Sequence, residues 1–322
     1  MESNLAVQIL GTAFLFLMTL GMGMAMVGDD IRRILVYPKA VAIGTINQMM
    51  ILPLVGLGLV LAFEVEPVIA VGLLLLTFCP GGVGSNVSTL LARGDAALSV
   101  TLTFISSCLI VLTLPLLTNA SMEFFMGQTL TQKLPVGDTV WRVIGMILVP
   151  IALGMSIRRR WPGFALRAEH YVKISGFILM GVMITGIVIK DFQLILTYAE
   201  RAGGIAFALC GITMALGFFS ARFFGLNRPQ GITIAIEVGT QNSALAIVIA
   251  SILNNSQLAI PALIYTVANS LALVLIIGWA NLPKQRRALD RERALQARMM
   301  ESGQSAGTAR GAVVAGRLEG AD

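Results

Sequence analysis

The sequence predicts an all-α polytopic membrane protein with about nine transmembrane helices. Of its 322 residues, 56% are hydrophobic and 12% are charged, whereas a soluble domain carries about 25% charged residues. Apolar runs of roughly 16 to 25 residues recur along the chain, each near the length that crosses ~30 Å of hydrocarbon as a helix. Strands of a transmembrane barrel would be shorter and would alternate in polarity, and the runs do neither.

The predicted spans follow one another along residues 1–282, which form a single transmembrane domain. They are Leu5–Val27, Ala40–Phe63, Pro67–Leu91, Ala96–Thr118, Val140–Ile157, Ile174–Ile189, Ala202–Ala221, Ile232–Leu253 and Leu258–Leu282. The fifth contains Arg142 and the sixth is short, so these two have the weakest support. No basic residue precedes the first run, which is therefore not typical of a cleaved signal peptide. The charged tail 283–322 is expected to be largely disordered, with a surface helix over Gln285–Met300.

Basic residues alternate between the connections and so predict the orientation. One set of connections and the tail hold most of them, including Arg32, Arg33, Lys39, Arg93, Arg158, Arg159, Arg160, Arg167, Lys173, Arg222 and Arg228. The opposite set holds only Lys133, Arg142, Lys190 and Arg201. The positive-inside rule places the first set in the cytoplasm, and an odd number of spans then places the N-terminus outside. The net charge of +6 is explained by this topology, so no nucleic-acid partner is expected.

Cysteine and histidine give no sign of a catalytic or transition-metal site. Cys79, Cys108 and Cys210 lie within apolar runs without metal-ligand spacing, and we interpret them as buried small hydrophobic residues. His170, the only histidine, lies in a predicted cytoplasmic connection. With no Cys-His pair and no nucleophile elbow, the sequence predicts neither an enzyme nor an organic cofactor.

Glu237 is the residue that most strongly indicates a function. Of the 17 acidic residues it alone lies deep inside an apolar run, where it opens the polar string Glu237–Ser243. A carboxylate at bilayer depth costs at least ~2.5 kcal/mol, so it should have a partner. The nearest basic residues, Arg222 and Arg228, precede the run at the expected membrane surface. The sequence therefore predicts a bound cation or a proton as the partner of Glu237.

Two predicted spans are interrupted at corresponding depths. In the third span, Pro80 removes a helical donor and the glycines of Cys79–Asn86 favour non-helical dihedrals. In the eighth span, the polar string Glu237–Ser243 forms the interruption. The two lie five spans apart and would cross the membrane in opposite directions, as in an inverted repeat. A kink that serves only helix packing is the alternative, but it does not explain why Glu, Gln and Asn gather there.

Further polar residues fit the same site. Ser99 and Thr103 are four positions apart and share one face of the fourth span. Asn47 and Gln48 lie near the middle of the second span. Each alone is more typical of an interhelical hydrogen bond. Together with the polar residues at the interruptions they supply hard oxygen ligands, which suit Na⁺ or H⁺ and not a soft transition metal.

At these residues the chain resembles the bacterial bile acid:sodium symporters. Cys79–Asn86, with the following Ser88–Ser99, is similar to the fourth-helix region of that family, and Ile236–Ala246 is similar to its second crossover segment. The resemblance covers nearly all of residues 7–282. It implies two crossing discontinuous helices in a core domain, a smaller panel domain, and two Na⁺ sites beside the crossing.

The resemblance also implies the residues of each site. One sodium site would contain Ser85, Asn86, Ser99, Thr103 and Glu237. The second would contain Gln48, Glu237, Val238, Thr240 and Gln241, with Val238 and Thr240 acting through their carbonyls. The substrate would face Val83, Gly84, Asn242 and Asn269. Half-helix N-termini at Val83-Gly84 and Asn242 would favour an anionic group such as a carboxylate or sulfonate.

The chain departs from the family pattern in three respects. Bacterial members commonly have ten helices, whereas this chain resembles the nine-helix animal members. Val83 stands where some relatives carry a hydroxyl residue, and Ala268 stands where some carry His. Both of these residues are expected at the substrate cavity, so the identity of the substrate is the least transferable property.

The predicted function is sodium-coupled import of a small organic anion, bile-acid-like or another carboxylate, by alternating access in the inner membrane. The alternative is a proton-coupled or exporting carrier of the same fold, for a keto acid or a metalloid oxyanion; dependence on Na⁺ would separate the two. A receptor or structural membrane protein would show no ion-dependent ligand binding. The residues favour no one anion among a bile salt, a pantoate-like hydroxy acid and pyruvate, and they specify no oligomeric state.

Overall fold

The structure, a computed structural model, describes residues 2–26, 37–127, 133–283 and residue 291, and these residues are almost entirely helical. The α-helices are α1 (Glu2–Ala25), α2 (Pro38–Ile46), α3 (Leu52–Ala62), α4 (Pro67–Thr77), α5 (Val83–Leu91), α6 (Ala96–Met126), α7 (Val136–Val143), α8 (Val149–Arg160), α9 (Pro162–Phe223), α10 (Arg228–Gly239), α11 (Ser243–Ile252) and α12 (Ile260–Asn281). Short π-helical turns, Asn47–Ile51 and Ile144–Leu148, join α2 to α3 and α7 to α8, and a 3₁₀ turn, Ser256–Ala259, precedes α12.

Seven stretches of the described chain are long and apolar enough to cross a membrane as continuous helices. They are Leu5–Ala25, Pro38–Ala62, Ala96–Met126, Val136–Arg160, Pro162–Glu200, Ala202–Phe223 and Ser256–Asn281. The two remaining predicted spans each consist of a pair of shorter helices, α4 with α5 and α10 with α11. The prediction of an all-α polytopic membrane protein with two discontinuous helices is therefore confirmed.

Several predicted boundaries differ from the structure. The fourth span continues to Met126, well past Thr118. The sixth and seventh spans belong to one helical stretch, α9, which has non-helical dihedrals at Asp191 (φ −110°, ψ 24°). The predicted tail helix Gln285–Met300 lies outside the described residues.

The interruption of the eighth span begins later than predicted. Glu237 lies inside α10, and non-helical dihedrals begin at Thr240 (φ −106°, ψ 106°). Polar composition alone does not end a helix, because backbone hydrogen bonding continues under a polar side chain.

Cys108 is a second correction, since it is exposed while Cys79 and Cys210 are buried. It lies on an outward face of α6, beside the exposed Leu109 and Leu112.

Close helix packing brings α1 against α8. An added Cβ at Gly23 would collide with the Ile151 carbonyl, and one at Gly154 would collide with the Leu20 carbonyl. Small residues allow membrane helices to approach in this way. Helix α1 also packs on α9 and α11. It therefore connects the α8–α9 group of helices to the second discontinuous helix.

Side-chain contacts show which connections share an end of the bundle. The Arg93 guanidinium donates to Asn281 Oδ1 (3.1 Å), and Arg228 lies 5.3 Å from the ring centroid of Trp279. At the other end, the Gln257 amide donates to the Tyr198 hydroxyl (3.2 Å). The charge pattern assigned the connections at Arg93, at Arg228 and after α12 to the same side of the membrane. These contacts show that the connections are neighbours.

Candidate ion and substrate site

The backbones of the two interruptions, between α4 and α5 (the first break) and between α10 and α11 (the second break), hydrogen-bond to each other. The Gly82 N–H donates to the Thr240 carbonyl (3.3 Å), and the Asn242 N–H donates to the Pro80 carbonyl (3.0 Å). Gly81 and Gln241 form an antiparallel bridge. Backbone groups freed from a helix within a membrane must find partners in the protein, in water or in an ion. Here each discontinuous helix supplies partners for the other, and the predicted crossing is confirmed.

Position 81 requires glycine because another part of the chain approaches it closely. Its dihedral angles do not require glycine. Among the described glycines, only Gly127 and Gly225 have positive φ. A Cβ added at Gly81 would collide with Oε1 of Glu237. Gly82 is different, because an added Cβ would make ordinary contacts, the nearest being the Gln241 carbonyl oxygen at 3.6 Å. The absence of a side chain at Gly81 is what lets the carboxylate reach the crossing.

Glu237 is buried among hydroxyl groups. It is 1% exposed. Its Oε2 accepts hydrogen bonds from Ser85 Oγ (2.7 Å) and Ser99 Oγ (2.9 Å), and its Oε1 accepts one from Thr103 Oγ1. No Lys, Arg or His of the described residues forms an ion pair with it. Within the described residues, no basic side chain therefore balances the charge of Glu237.

Asn86 completes the cluster around this carboxylate. Its Oδ1 lies 2.8 Å from Ser99 Oγ and 3.4 Å from Thr103 Oγ1, so it shares these two hydroxyl protons with Glu237. The five residues predicted for one sodium site are thereby connected, although they come from three helices, α5, α6 and α10. Hydroxyl, amide and carboxylate oxygens are hard donors that suit an alkali cation. The assignment of a bound ion to them stays a prediction.

Three of the five residues predicted for the second sodium site, Gln48, Val238 and Gln241, also meet. Gln48 Nε2 donates to Gln241 Oε1 (3.0 Å) and to the Cys79 carbonyl (3.1 Å). Gln241 Nε2 donates to the Val238 carbonyl (2.7 Å). Gln48 lies in the π-helical turn Asn47–Ile51, an irregularity that occurs often at functional sites. This group touches both breaks, since Cys79 lies within one and Gln241 lies within the other.

One oxygen of this second group is left without a partner. Gln48 Oε1 is buried and accepts no hydrogen bond in the described structure. Leaving a buried acceptor unsatisfied costs about 1–3 kcal/mol. A cation coordinated by Gln48 Oε1 would remove that cost. The oxygen atoms of this group are ligands that suit Na⁺.

A cavity of about 310 Å³ lies beside the crossing. Three of the four predicted substrate residues, Gly84, Asn242 and Asn269, line it. The fourth, Val83, is the first residue of α5. Helices α1 and α9 form an apolar wall with Phe14, Leu15, Met18, Phe177 and Met180. Helices α5 and α11 both begin at the cavity, where the positive ends of their dipoles favour an anion, and Asn242 Oδ1 already accepts from the Leu245 N–H (3.1 Å).

Thr240 and Ala268 take positions that the sequence did not indicate. The Thr240 hydroxyl donates to Asn269 Oδ1 (3.3 Å) and lines the cavity, so this residue links the second ion group to the cavity. Ala268 was expected at the cavity, but it is 1% exposed and is not part of the lining. It faces the helix packing because its neighbour Asn269, about 100° further around α12, faces the cavity.

The sequence interpretation missed Tyr265. It is 0% exposed, and its hydroxyl donates to the Gly239 carbonyl (2.8 Å), the last residue of α10. The bond satisfies a carbonyl at the end of α10, and the Cys210 thiol lies 3.9 Å from the same oxygen. A tyrosine in the middle of an apolar span was the available signal, because a buried tyrosine hydroxyl usually has a partner.

Comparison with known proteins identifies the family. Residues 12–198 match the model of the Sodium Bile acid symporter family. The chain belongs to this family. The match includes the first break together with Asn86, Ser99 and Thr103, and the second break follows it in the chain.

Three relatives illustrate the breadth of the sodium bile acid symporter family. An uncharacterized sodium-dependent transporter of Bacillus subtilis, YocS, is 31% identical over 86% of this chain and 85% of its own length. A probable chloroplastic sodium/metabolite cotransporter of Oryza sativa, BASS1, is 30% identical over 86% of this chain and 66% of its own length. The human ileal sodium/bile acid cotransporter is 29% identical over 76% of this chain and 70% of its own length.

Proposed function

We propose that this protein is a sodium-coupled symporter that imports a small organic anion. The observation that supports this most directly is Glu237, a buried carboxylate without a cationic partner in the described residues. It lies where two discontinuous helices cross, next to a cavity at their N-termini. The sodium-dependent transporters and cotransporters among the relatives agree with this function.

Coupling would follow from the shared position of the ion groups and the cavity. Sodium ions bound by the Glu237 cluster and by the Gln48–Gln241 group would hold the two breaks together. The same breaks carry the N-termini of α5 and α11, which line the cavity. Ion binding would therefore pre-form the anion site, and anion binding would in turn strengthen ion binding.

Alternating access would use the two walls of the cavity. One wall is the crossing, and the other is formed by α1 and α9. Rocking of one wall against the other would expose the cavity first to one side of the membrane and then to the other. We place the protein in the inner membrane with the N-terminus outside and the C-terminus in the cytoplasm, on the charge pattern of its connections.

Gln48 favours a metal cation over a proton as the coupling ion. A proton on Glu237 would neutralise the carboxylate, but it would leave Gln48 Oε1 unpaired. Na⁺ coordinates several oxygens at once, so sodium ions would balance the charge of Glu237 and also give Gln48 Oε1 a partner. Proton coupling, the alternative within the same fold, has no such use for the Gln48 oxygen.

Ligand-induced thermal stabilisation tests this proposal. The purified protein is mixed with each member of an organic-acid panel in sodium chloride, in choline chloride, and in choline chloride at lower pH. We expect stabilisation by at least one anion in sodium chloride only. Stabilisation in choline chloride that increases as the pH falls would establish proton coupling instead.

A further inference from the structure

A second cavity lies between α1, α9 and α11, away from the crossing. Its volume is about 220 Å³, and we call it the outer cavity. Ser256 lines it and is adjacent in the chain to Gln257, whose contact with Tyr198 marks the end of the bundle opposite Arg93. The charge pattern places that end outside the cell. Apolar side chains form most of the lining, among them Val7, Leu10, Val182, Ile187, Ile247 and Ala259.

The outer cavity and the cavity beside the crossing follow one another along the same three helices. On α1, Leu10 lines the outer cavity and Phe14, about one turn further along, lines the other. On α11, Ile247 lines the outer cavity and Ala244 lines the other. The two cavities therefore lie on one path between the outer end of the bundle and the crossing.

One layer of packed side chains separates the two cavities. A Cβ added at Gly11 of α1 would collide with the Val248 side chain of α11, and it would lie 3.2 Å from Met183 Sδ of α9. The three helices thus touch between Leu10 and Phe14. A ligand held in the outer cavity needs only this layer to open before it reaches the crossing.

Ser251 provides a polar group that the protein itself leaves unused. It lines the outer cavity and is 8% exposed, and its hydroxyl oxygen is buried without a hydrogen-bond partner in the described structure. Ser270 of α12 shows the usual alternative, since its hydroxyl donates to the Thr266 carbonyl one turn back (2.7 Å). A buried hydroxyl is costly without a partner, so a ligand that accepts its hydrogen bond is favoured.

Lys190 and Asp191 are the charged residues among the described lining of the outer cavity. They are adjacent in the chain, where α9 has non-helical dihedrals at Asp191. The lysine attracts an anion that enters from outside, whereas the aspartate limits how tightly that anion is held. Sites along a transport path must bind weakly enough to release the ligand.

We infer that the outer cavity is a second binding site for the transported organic anion, which occupies it before reaching the crossing. The anionic group accepts the Ser251 hydrogen bond on the Lys190 side, and the apolar part of the ligand packs on Leu10 and Ile247. The inference rests on the proposed function, because it takes the substrate to be an organic anion.

Independence from sodium distinguishes this site from the cavity beside the crossing. The described lining of the outer cavity includes none of the residues assigned to the two ion groups. Binding there therefore requires no bound sodium, although sodium is needed for the anion to continue inward.

Protection of a thiol tests the inference. Ser256→Cys is made together with Cys108→Ala, because Cys108 is the exposed cysteine of the described structure. The purified protein reacts with methyl methanethiosulfonate, with and without pyruvate, pantoate or taurocholate, and intact mass measures the modified fraction. We expect at least one anion to slow the reaction by at least ~3-fold at a few times its Kd, in sodium chloride and in choline chloride alike. Glu237→Gln should leave this protection unchanged.

Two results would overturn the inference. Protection only in sodium chloride, lost in Glu237→Gln, would mean that the thiol responds to binding at the crossing, and sodium symport would stand. Protection by none of the three anions in either salt would leave the outer cavity without a ligand. Sodium symport would then be judged by thermal stabilisation alone, so the two failures are distinguishable.

Thr197→Cys is the matched control thiol. Thr197 is exposed on α9 at the same end and does not line the outer cavity, and its hydroxyl donates to the Gln193 carbonyl (3.0 Å). The anions should not change its rate of modification; an equal slowing there would show an effect on the reagent and contradict a site. Val7→Cys, on the α1 wall of the cavity, is the second reporter if Ser256→Cys does not fold.

Three substitutions locate the anionic group. With either reporter, Ser251→Ala and Lys190→Gln should weaken the protection and Asp191→Asn should strengthen it, each by about 3-fold in the anion concentration required. Protection that none of the three changes would place the anion elsewhere and contradict the inference.

Discussion

Glu237 accepts hydrogen bonds from three hydroxyl groups, and those groups can turn their oxygen lone pairs toward a cation when one binds. In the described structure the carboxylate has no other charged neighbour. Its charge, and not only its shape, should therefore be needed for ion binding. Two substitutions test the cluster, one at the carboxylate and one at the hydroxyls.

Glu237→Gln should abolish sodium-dependent ligand binding while the protein still folds. Glutamine keeps the shape and one acceptor oxygen, but it removes the charge that balances the cations. Glu123→Gln is a matched control, because Glu123 is exposed and pairs with Lys133 (3.0 Å) away from the crossing. Thermal stabilisation in sodium chloride and choline chloride measures the effect. Parent-like Na⁺ and ligand binding by Glu237→Gln would refute the central role of this residue.

Removal of the hydroxyls should weaken Na⁺ binding without changing the preference among anions. Ser99→Ala combined with Thr103→Val removes two donors of the Glu237 cluster, each at about 1–3 kcal/mol, or about 5- to 150-fold in affinity. Thr101→Val on the same helix is the control, since the Thr101 hydroxyl donates to the Ala97 carbonyl (2.8 Å). Sodium titration measures the affinity. A changed anion profile with unaltered sodium dependence would place these hydroxyls in the substrate cavity instead.

Residue types and spacing could predict some of the residues that meet at the site, but not every contact that makes a residue necessary there. Glu237, Ser99 and Thr103 were predictable, because a polar residue in an apolar span must have a partner. The role of Gly81 was not, since a close approach between segments far apart in the chain leaves no local pattern. Tyr265 was missed for a related reason, because its role depends on which face of a helix meets the crossing.

At the scale of elements, the first break contains two adjacent glycines that differ in their surroundings. Gly81 faces the Glu237 carboxylate, whereas Gly82 has room for a methyl group and an extended conformation (φ −82°, ψ 153°) that alanine adopts easily. The break itself could be predicted from Pro80 and the glycines. Its length, from Phe78 to Gly82, could not, because it is set by pairing with the other break.

Gly81→Ala should impair transport and lower Na⁺ affinity, because the new methyl group displaces the Glu237 carboxylate. Gly82→Ala should be tolerated, with transport and melting temperature close to those of the parent. Both measurements are made on the same preparations. Parent-like transport by Gly81→Ala would contradict the close approach. Equal loss of stability and transport in both variants would instead indicate that the glycines serve only helix packing.

At the scale of the whole molecule, the side-chain contacts group the connections by end, and the charge pattern assigns those ends to sides of the membrane. Arg93, Arg228 and Asn281 meet at one end, as the even number of spans between them requires. Hydropathy was sufficient to predict this arrangement, because each apolar run must cross the membrane as a helix that satisfies its own backbone hydrogen bonds. The exact helix ends were not predictable, since helices such as α6 and α9 extend beyond their apolar runs.

A reporter fused at the N-terminus should report the outside of the cell, and one fused after Leu282 should report the cytoplasm. The expectation follows from an odd number of spans and from the basic connections. Paired alkaline phosphatase and green fluorescent protein fusions at each position measure it. Both ends in the cytoplasm would mean that a span was missed or split, most plainly around Val136–Arg160.

The mutual pairing of the two breaks also has a consequence for biosynthesis. Ser85 and Glu237, on opposite sides of the crossing, are 152 positions apart. At typical synthesis rates the first break waits roughly 8–30 s for its partner. During that time the Pro80 carbonyl and the Gly82 N–H have no backbone partner, a state that lipid does not tolerate. The nascent chain must therefore be sheltered by the insertion machinery or by water until α10 arrives, and a chain arrested before α10 should be a substrate for membrane proteolysis.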